Sequence, residues 1–445
     1  MSINQWIFKY GVYYPVVLAR GEWLTGHLKE LMKSQYGAPE QLQLLQLNRL
    51  NTLIQHAKRT VPFYSNLPDL PLQSLGELSQ LPLLEKDDLR SDPARLWSSV
   101  KGYMIRQKTT GGSTGAAVTI RKDCRGMAHE LAATWRGYHW AGINIGDKQA
   151  RFWGVPQQKK DYWRSRLIDL VTNRMRLSAF SFSDEDLASY VKKLEAFKPV
   201  YFYGYVSMIK QLADFLERRG QTGTLTPKAV VTTSEVLLQQ DRDQISRVFG
   251  CKVYDEYGCG EVGTIAHECE YGSMHITAEN IIVEIVDEAG QPVAPGLPGE
   301  IVVTDLVNFS MPLIRYRIKD FATMATQPCP CGRGLPVLSN IHGREYDMLL
   351  NSKGQKFHGE FFLYMVEELK NRSVRIDAFQ VGQDSELNLI IRLGAGQDAF
   401  EESCSYLETE LHKRFDERVI VHFERVTKIE REPSGKLRVI KRLGW

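Results

Sequence analysis

The sequence predicts an α/β fold: a large N-terminal body of mainly parallel sheet continued by an antiparallel meander, then a small α+β C-terminal domain. Three observations carry that reading. Between residues 149 and 257, short apolar runs alternate with helical patterns, which marks βαβ units. From Asn280 to Thr304 the strand-like runs ENIIVEIVDEAG and GEIVVTDL flank a Gly-Pro turn, which reads as a meander. Beyond Ile341–Asp347 a fresh series of strands and helices spans about 100 residues, enough for a small domain. The expected division is 1–342 for the body and 343–445 for a mobile lid.

The elements follow in order. Residues 40–60 place apolar side chains at helical spacing, and Pro62 ends that helix. Pro82 and the run Glu85-Lys86-Asp87-Asp88 read as a loop entering a helix. Strands are predicted at 149–155, 200–205, 229–233 and 252–257, with helices at 184–197, 208–219 and 239–249 between them. In the small domain the pattern predicts a helix at 360–370, a strand at 387–393, a helix at 399–415 and a strand at 419–423.

Composition excludes several function classes. The chain has 445 residues, 43% hydrophobic and 24% charged, so it is neither disordered nor collagen-like nor a coiled coil. A net charge of +3 argues against nucleic-acid binding, which concentrates basic residues on one face. Seven cysteines and a start without basic residues point to a reducing compartment, hence a cytoplasmic protein. Trp6 to Ala19 is apolar but is interrupted by Lys9 and Pro15, and it is too short to span a bilayer. It reads as a helix packed on the body.

Five segments bear chemistry. Thr109–Gly115 (TTGGSTG) follows a strand-like run, Tyr103–Gln107. Its glycines let backbone amides converge on an anion, and its hydroxyls add donors. This loop contains neither a Walker lysine nor GxGxxG. Tyr254–Gly263 (YDEYGCGEVG) closes a strand with Glu261 in the turn, where an acid can hold Mg²⁺. Thr304–Asp320 crowds Arg315, Arg317, Lys319 and Asp320 beside an apolar strand, which reads as an edge strand with solvated charges. Gly343-Arg344 sits at the domain boundary, and Pro433-Ser434-Gly435 form a turn that presents Lys436.

Their order resembles the adenylate-forming superfamily of acyl- and aryl-CoA ligases and adenylation domains. The closest resemblance is to the phenylacetate–CoA ligase family and its CapK-type, capsular-polysaccharide members. LNRLNTLIQHAKRTVPFYSNL near the N-terminus, MPLIRYR at 311–317 and CPCGR at 329–333 are similar to that branch. The resemblance implies activation of a carboxylic acid with ATP and Mg²⁺ to an acyl-adenylate. It also implies transfer to an acceptor, CoA by default or an amine, as well as a homodimer as an option. A nucleotide-binding scaffold without chemistry is the rival reading.

The resemblance also distributes roles. Thr110, Gly112, Ser113, Thr114 and Gly115 would cradle phosphates. Ser234 and Glu235 would line adenine, Tyr257 and Gly258 would pack against it, and Asp320 and Arg344 would grip the ribose. Glu261 would hold Mg²⁺, and Lys436 would bridge the acid and the α-phosphate. Trp153, Gly154, Tyr203 and Gly204 fall where the family places part of the acid pocket. The chain departs from the family pattern at Ala116-Ala117, Cys259-Gly260 and Tyr346.

Cys329-Pro330-Cys331 is a tight pair of soft ligands. With Cys269 and one histidine it makes a closed tetrahedral zinc site of the structural type. His275 is the preferred fourth ligand and His267 the alternative.

Overall fold

A computed structural model describes residues 3–445 except 69–70, 111–117, 154–158, 179–182, 236, 238, 342–348, 358–361, 363–364, 367, 370–371, 377, 428, 430–439 and 443–445. The chain forms two compact units, one built mainly on residues 1–344 and the other mainly on 345–445.

The strands β1 (Arg106–Thr110) and β2 (Val118–Lys122) form a two-stranded sheet. An eleven-stranded sheet forms the rest of the frame. Its strands are β3 (Gln149–Trp153), β4 (Arg174–Ser178), β5 (Tyr201–Tyr205), β6 (Ala229–Thr233) and β7 (Lys252–Cys259). They continue with β8 (Gly263–Glu268), β9 (Met274–Ile276), β10 (Ile281–Val286), β11 (Pro298–Asp305), β12 (Tyr316–Met324) and β13 (Val337–Ile341). The spatial order is β10-β11-β12-β13-β9-β8-β7-β6-β5-β3-β4. Pairing is parallel from β4 through β3, β5 and β6 to β7, and antiparallel from β7 onward. The parallel half and the meander legible in the sequence are therefore one continuous sheet.

The helices Asp184–Phe197 and Gln239–Phe249 have the predicted bounds, and Val206–Arg218 lies within two residues of prediction. Ser183 starts the first of these with a capping box, its hydroxyl accepting from the Asp186 amide. A helix not anticipated from sequence, Cys124–Trp140, covers one sheet face. Asp123 caps it by accepting from the Gly126 amide. Its Trp135 and Tyr138 pack with Tyr201, Tyr203 and Val231 of the sheet. The run Trp6–Ala19 belongs to successive helical turns, with Trp6 and Leu18 exposed and Tyr13 and Val17 buried. No helix among the described residues is long and apolar enough to cross a membrane.

The second unit holds a two-stranded pair, β14 (Leu349–Leu350) and β15 (Lys356–Phe357), and a four-stranded sheet in the order β18-β17-β16-β19. These four are β16 (Ala378–Gln383), β17 (Leu389–Gly394), β18 (Val421–Arg425) and β19 (Ile440–Arg442). The helix Gln397–Arg414 buries Leu407 and Leu411 with Phe379, Val381 and Ile391 of the sheet.

Arg315 corrects one sequence expectation. It is 2% exposed rather than solvated. Its Nη1 donates to the carbonyls of Ser79 and Leu81 at 2.8 and 2.7 Å, and its Nη2 to that of Gly290 at 2.7 Å. Glu284 accepts from Nε at 3.1 Å. The physical reason is supply: loops that converge beside β12 bring carbonyls without strand partners, and one planar fork of donors serves them all. Arg315→Ala would leave Glu284 and these carbonyls buried without the cation, so urea unfolding should show a loss of about 3–5 kcal/mol.

Candidate active site and metal cluster

Parallel pairing of β3, β5, β6 and β7 brings their carboxyl ends to one edge, and β7 then turns back through Glu261 into β8. Open parallel sheets bind ligands at such an edge. Ser234 leaves β6 there with φ of 70°, a left-handed conformation unusual for a residue with a side chain. It turns the Ser234-Glu235 segment sharply off the strand.

Tyr257, near the end of β7, donates its hydroxyl to Asp320 Oδ2 at 2.8 Å. The residues assigned to adenine and ribose are thus neighbours, although they lie on different strands. Gly258 sits at a register shift between β7 and β8.

Glu261 is 5% exposed in its turn. Lys86 Nζ stands 3.4 Å from its Oε1, and the Tyr316 hydroxyl donates to the same oxygen at 3.4 Å. Sequence reasoning missed Lys86, which reads there as one charge of a solvated run. Two local features carry it inward. The amide of Leu84 donates to the Arg315 carbonyl at 2.9 Å, and the Leu84 carbonyl accepts from the Arg317 amide at 3.0 Å. The helix Lys86–Ser91 then starts on a Glu85/Asp88 capping box. The one sequence signal was the buried-type Leu84 two residues before it.

Lys122, at the end of β2, is a second buried cation the sequence did not single out. Its Nζ lies 3.1 Å from Glu130, 3.2 Å from Asp305 and 3.2 Å from the Val262 carbonyl. Those two carboxylates hold its ammonium well above the usual lysine range despite full burial. Lys122 thereby ties the exit of the β1–β2 pair to the turn that carries Glu261.

The aromatic residues assigned to the acid pocket also meet. The rings of Trp153 and Tyr203 lie nearly parallel, 15° apart, with centroids at 5.9 Å. Gly204 has a packing reason of its own: a Cβ there would stand 2.2 Å from the Phe152 carbonyl oxygen of the neighbouring strand. The side chain of Thr110, together with Gly112, Ser113, Thr114, Gly115, Gly154, Arg344 and Lys436, lies outside the described residues.

Cys269, His275, Cys329 and Cys331 converge, with all four ligand atoms within 4.8 Å of one another. The Cys269 and Cys329 sulfurs are 3.7 Å apart, and Cys331 Sγ is 3.2 Å from His275 Nε2. His275 Nδ1 faces the Leu335 carbonyl at 3.2 Å, which sets the tautomer that leaves Nε2 for a metal. Burial pushes the imidazole down to about 4, so it is neutral, as a ligand must be. Three soft thiols and one imidazole in this arrangement fit tetrahedral zinc. His267 is not part of the cluster. It packs edge-on against Tyr138 and Trp140, with Nε2 3.9 Å from Glu256 Oε2.

Comparison with known proteins now decides the family. Residues 110–309 match the model of the AMP-binding enzymes, and residues 349–443 match that of the CapK C-terminal domain. Over these two segments the chain is similar to the adenylate-forming enzymes. It is an AMP-forming ligase with a CapK-type C-terminal domain. Protein CapK of Staphylococcus aureus is 26% identical over 414 residues, 88% of each chain. The phenylacetate-coenzyme A ligase of Thermus thermophilus is 26% identical over 327 residues, 70% of this chain and 72% of the relative. Among solved structures, 2-hydroxyisobutyryl-CoA ligase in complex with 2-HIB-AMP and CoA superposes with a TM-score of 0.61. It shares 20% identity and covers 92% of both chains, which establishes the fold.

On β7, burial pushes the Asp255 carboxyl up to about 7, against a hydrogen bond from the Thr232 hydroxyl at 2.7 Å. In the unfolded chain it ionises near 3.9. Between those values the folded protein keeps a proton that the unfolded chain has lost. Asp255 therefore costs stability as pH rises through this window, at about 1.4 kcal/mol per pH unit. Asp255→Asn removes that titration. Urea unfolding should show the variant gaining about 2 kcal/mol on the wild type between about pH 5 and about pH 7.

Proposed function

We propose that this ligase activates a carboxylic acid with ATP·Mg²⁺ and passes the acyl group to the thiol of CoA. The observation that carries the reading is the Tyr257–Asp320 hydrogen bond beside the buried Glu261–Lys86 pair, at the carboxyl edge of a sheet whose segment matches the AMP-binding enzymes. A carboxylate oxygen of the acid attacks the α-phosphorus, the bond to the β-phosphate bridging oxygen breaks, and pyrophosphate leaves. The thiolate then attacks the acyl carbon and AMP leaves with the electron pair.

Negative charge accumulates around the α-phosphorus, so the site must supply fixed positive charge and donors. In this reading Thr110, Ser113 and Thr114 hold the phosphates, with Gly112 and Gly115 letting the backbone approach. Lys436 bridges the acid and the α-phosphate as a compact cation. Tyr257 packs against adenine beside Ser234 and Glu235, and Asp320 with Arg344 holds the ribose. Mg²⁺, held by Glu261, would shield the phosphate charge as a Lewis acid. Zinc, held by Cys269, His275, Cys329 and Cys331, would cross-link β9 to the segment before β13 and take no part in the reaction.

An amine acceptor, giving an amide in surface-polysaccharide synthesis, is the second reading. The observation behind it is the match of residues 349–443 to the CapK C-terminal domain.

Pyrophosphate exchange into ATP across aryl, fatty and sugar acids tests the first step, and CoA against amines separates the acceptors. Lys436→Ala should reduce exchange to background while nucleotide binding, read by calorimetry, stays within about threefold; unchanged exchange would sink the role of Lys436. Elemental analysis should find one equivalent of zinc per chain. Cys331→Ser should lose most of it and melt at a lower temperature.

A further inference from the structure

The buried polar groups next to Tyr257 go unused in the reaction outlined above. The register aligns Tyr205 with Thr233, Thr233 with Glu256, and Glu256 with His267 across four strands. Alternation along β7 puts Glu256 on the sheet face opposite Tyr257. Tyr138 of the helix Cys124–Trp140 packs against this row.

The Glu256 side chain is 10% exposed and that of His267 only 4%. Glu256 Oε1 accepts from the Tyr203 hydroxyl at 3.3 Å. Its Oε2 has no hydrogen-bond partner among the described residues, and neither does His267 Nε2. The helix even makes room for the imidazole, since a Cβ on Gly137 would stand 2.2 Å from His267 Cγ. Buried polar atoms without partners are rare in folded proteins, because each forfeits its hydration. Here two of them stand 3.9 Å apart.

We propose that these two atoms are the selective part of the acid pocket and that the ligase's substrate is a ring-bearing acid with a hydroxyl that they bind. The inference rests on the acid-activation reading above. A hydroxyl satisfies both atoms at once, because it donates and accepts, and its oxygen can stand about 2.8 Å from each. An ammonium group fits the surroundings less well. The Arg151 guanidinium already lies 4.7 Å from the Trp153 ring centre and 5.0 Å from that of Tyr203. Burial pushes the Glu256 carboxyl up to about 7, so the local balance is against a second cation. The ring requirement comes from the wall. Trp153 lies nearly parallel to Tyr203 and 4.4 Å from Tyr205, centroid to centroid, a surface suited to the flat face of a ring.

The test uses matched acids: phenylacetate against 3- and 4-hydroxyphenylacetate, and cyclohexanecarboxylate against glucuronate. In pyrophosphate exchange the wild type should favour a hydroxylated acid over its partner by at least about tenfold in kcat/KM. Glu256→Met should bring that ratio close to one while KM for ATP holds. Equal kcat/KM within each wild-type pair overturns the proposal, as does a preference for the cationic 4-(aminomethyl)benzoate. Calorimetry of the same acids on the wild type separates the two readings. Tighter binding of a hydroxylated acid without exchange keeps the hydroxyl-binding role of the two atoms and sinks acid activation. Exchange with equal kcat/KM does the reverse. Neither binding nor exchange with any hydroxylated acid overturns both.

Discussion

The reversal of strand direction between β7 and β8 is the constraint on which the rest of the molecule depends. Parallel pairing alone would carry the chain back through another helix, away from the carboxyl edge. A tight antiparallel turn instead leaves Glu261 at that edge, next to the end of β7. The same reversal launches the antiparallel half of the sheet, in which β12 brings Asp320 back to Tyr257. The meeting of Glu261, Tyr257 and Asp320 at the carboxyl edge and the long meander are two consequences of one turn.

Buried cations stabilise the loops that this arrangement leaves without strand partners. Arg315 collects carbonyls from three loop positions, Lys122 joins β2 to the Glu261 turn, and Lys86 reaches Glu261 itself. Each is paired with a carboxylate, as burial of a charge requires. The cluster of Cys269, His275, Cys329 and Cys331 would work on the same principle with softer ligands on a metal. It joins Cys269 and His275, on either side of the start of β9, to a Cys-x-Cys turn that lacks regular pairing of its own.

Much of this was legible in one dimension. Helix and strand periods located the βαβ half within a few residues, because one buried face per element writes its period into the sequence. Cys269, Cys329 and Cys331 were legible because cysteine and histidine at short spacing have few structural uses. Lys86 and Lys122 were not, because a lysine's sequence neighbours do not say whether its ammonium meets water or a carboxylate. The sequence preferred His275 over His267 as the fourth ligand but did not exclude either; strand alternation puts both on the same side of neighbouring strands, and packing sends His275 to the thiols and His267 to Glu256.

The sequence by itself determined the family, the order of the chemical motifs and the fold class, since local backbone demands and apolar periods are properties of contiguous residues. The tertiary structure decided which charges are buried, which histidine joins the cysteines, and that Glu256 Oε2 and His267 Nε2 face each other without a hydrogen-bond partner among the described residues. Those outcomes depend on residues far apart in the chain meeting at a few ångströms, where burial rather than composition sets the energy of a polar group.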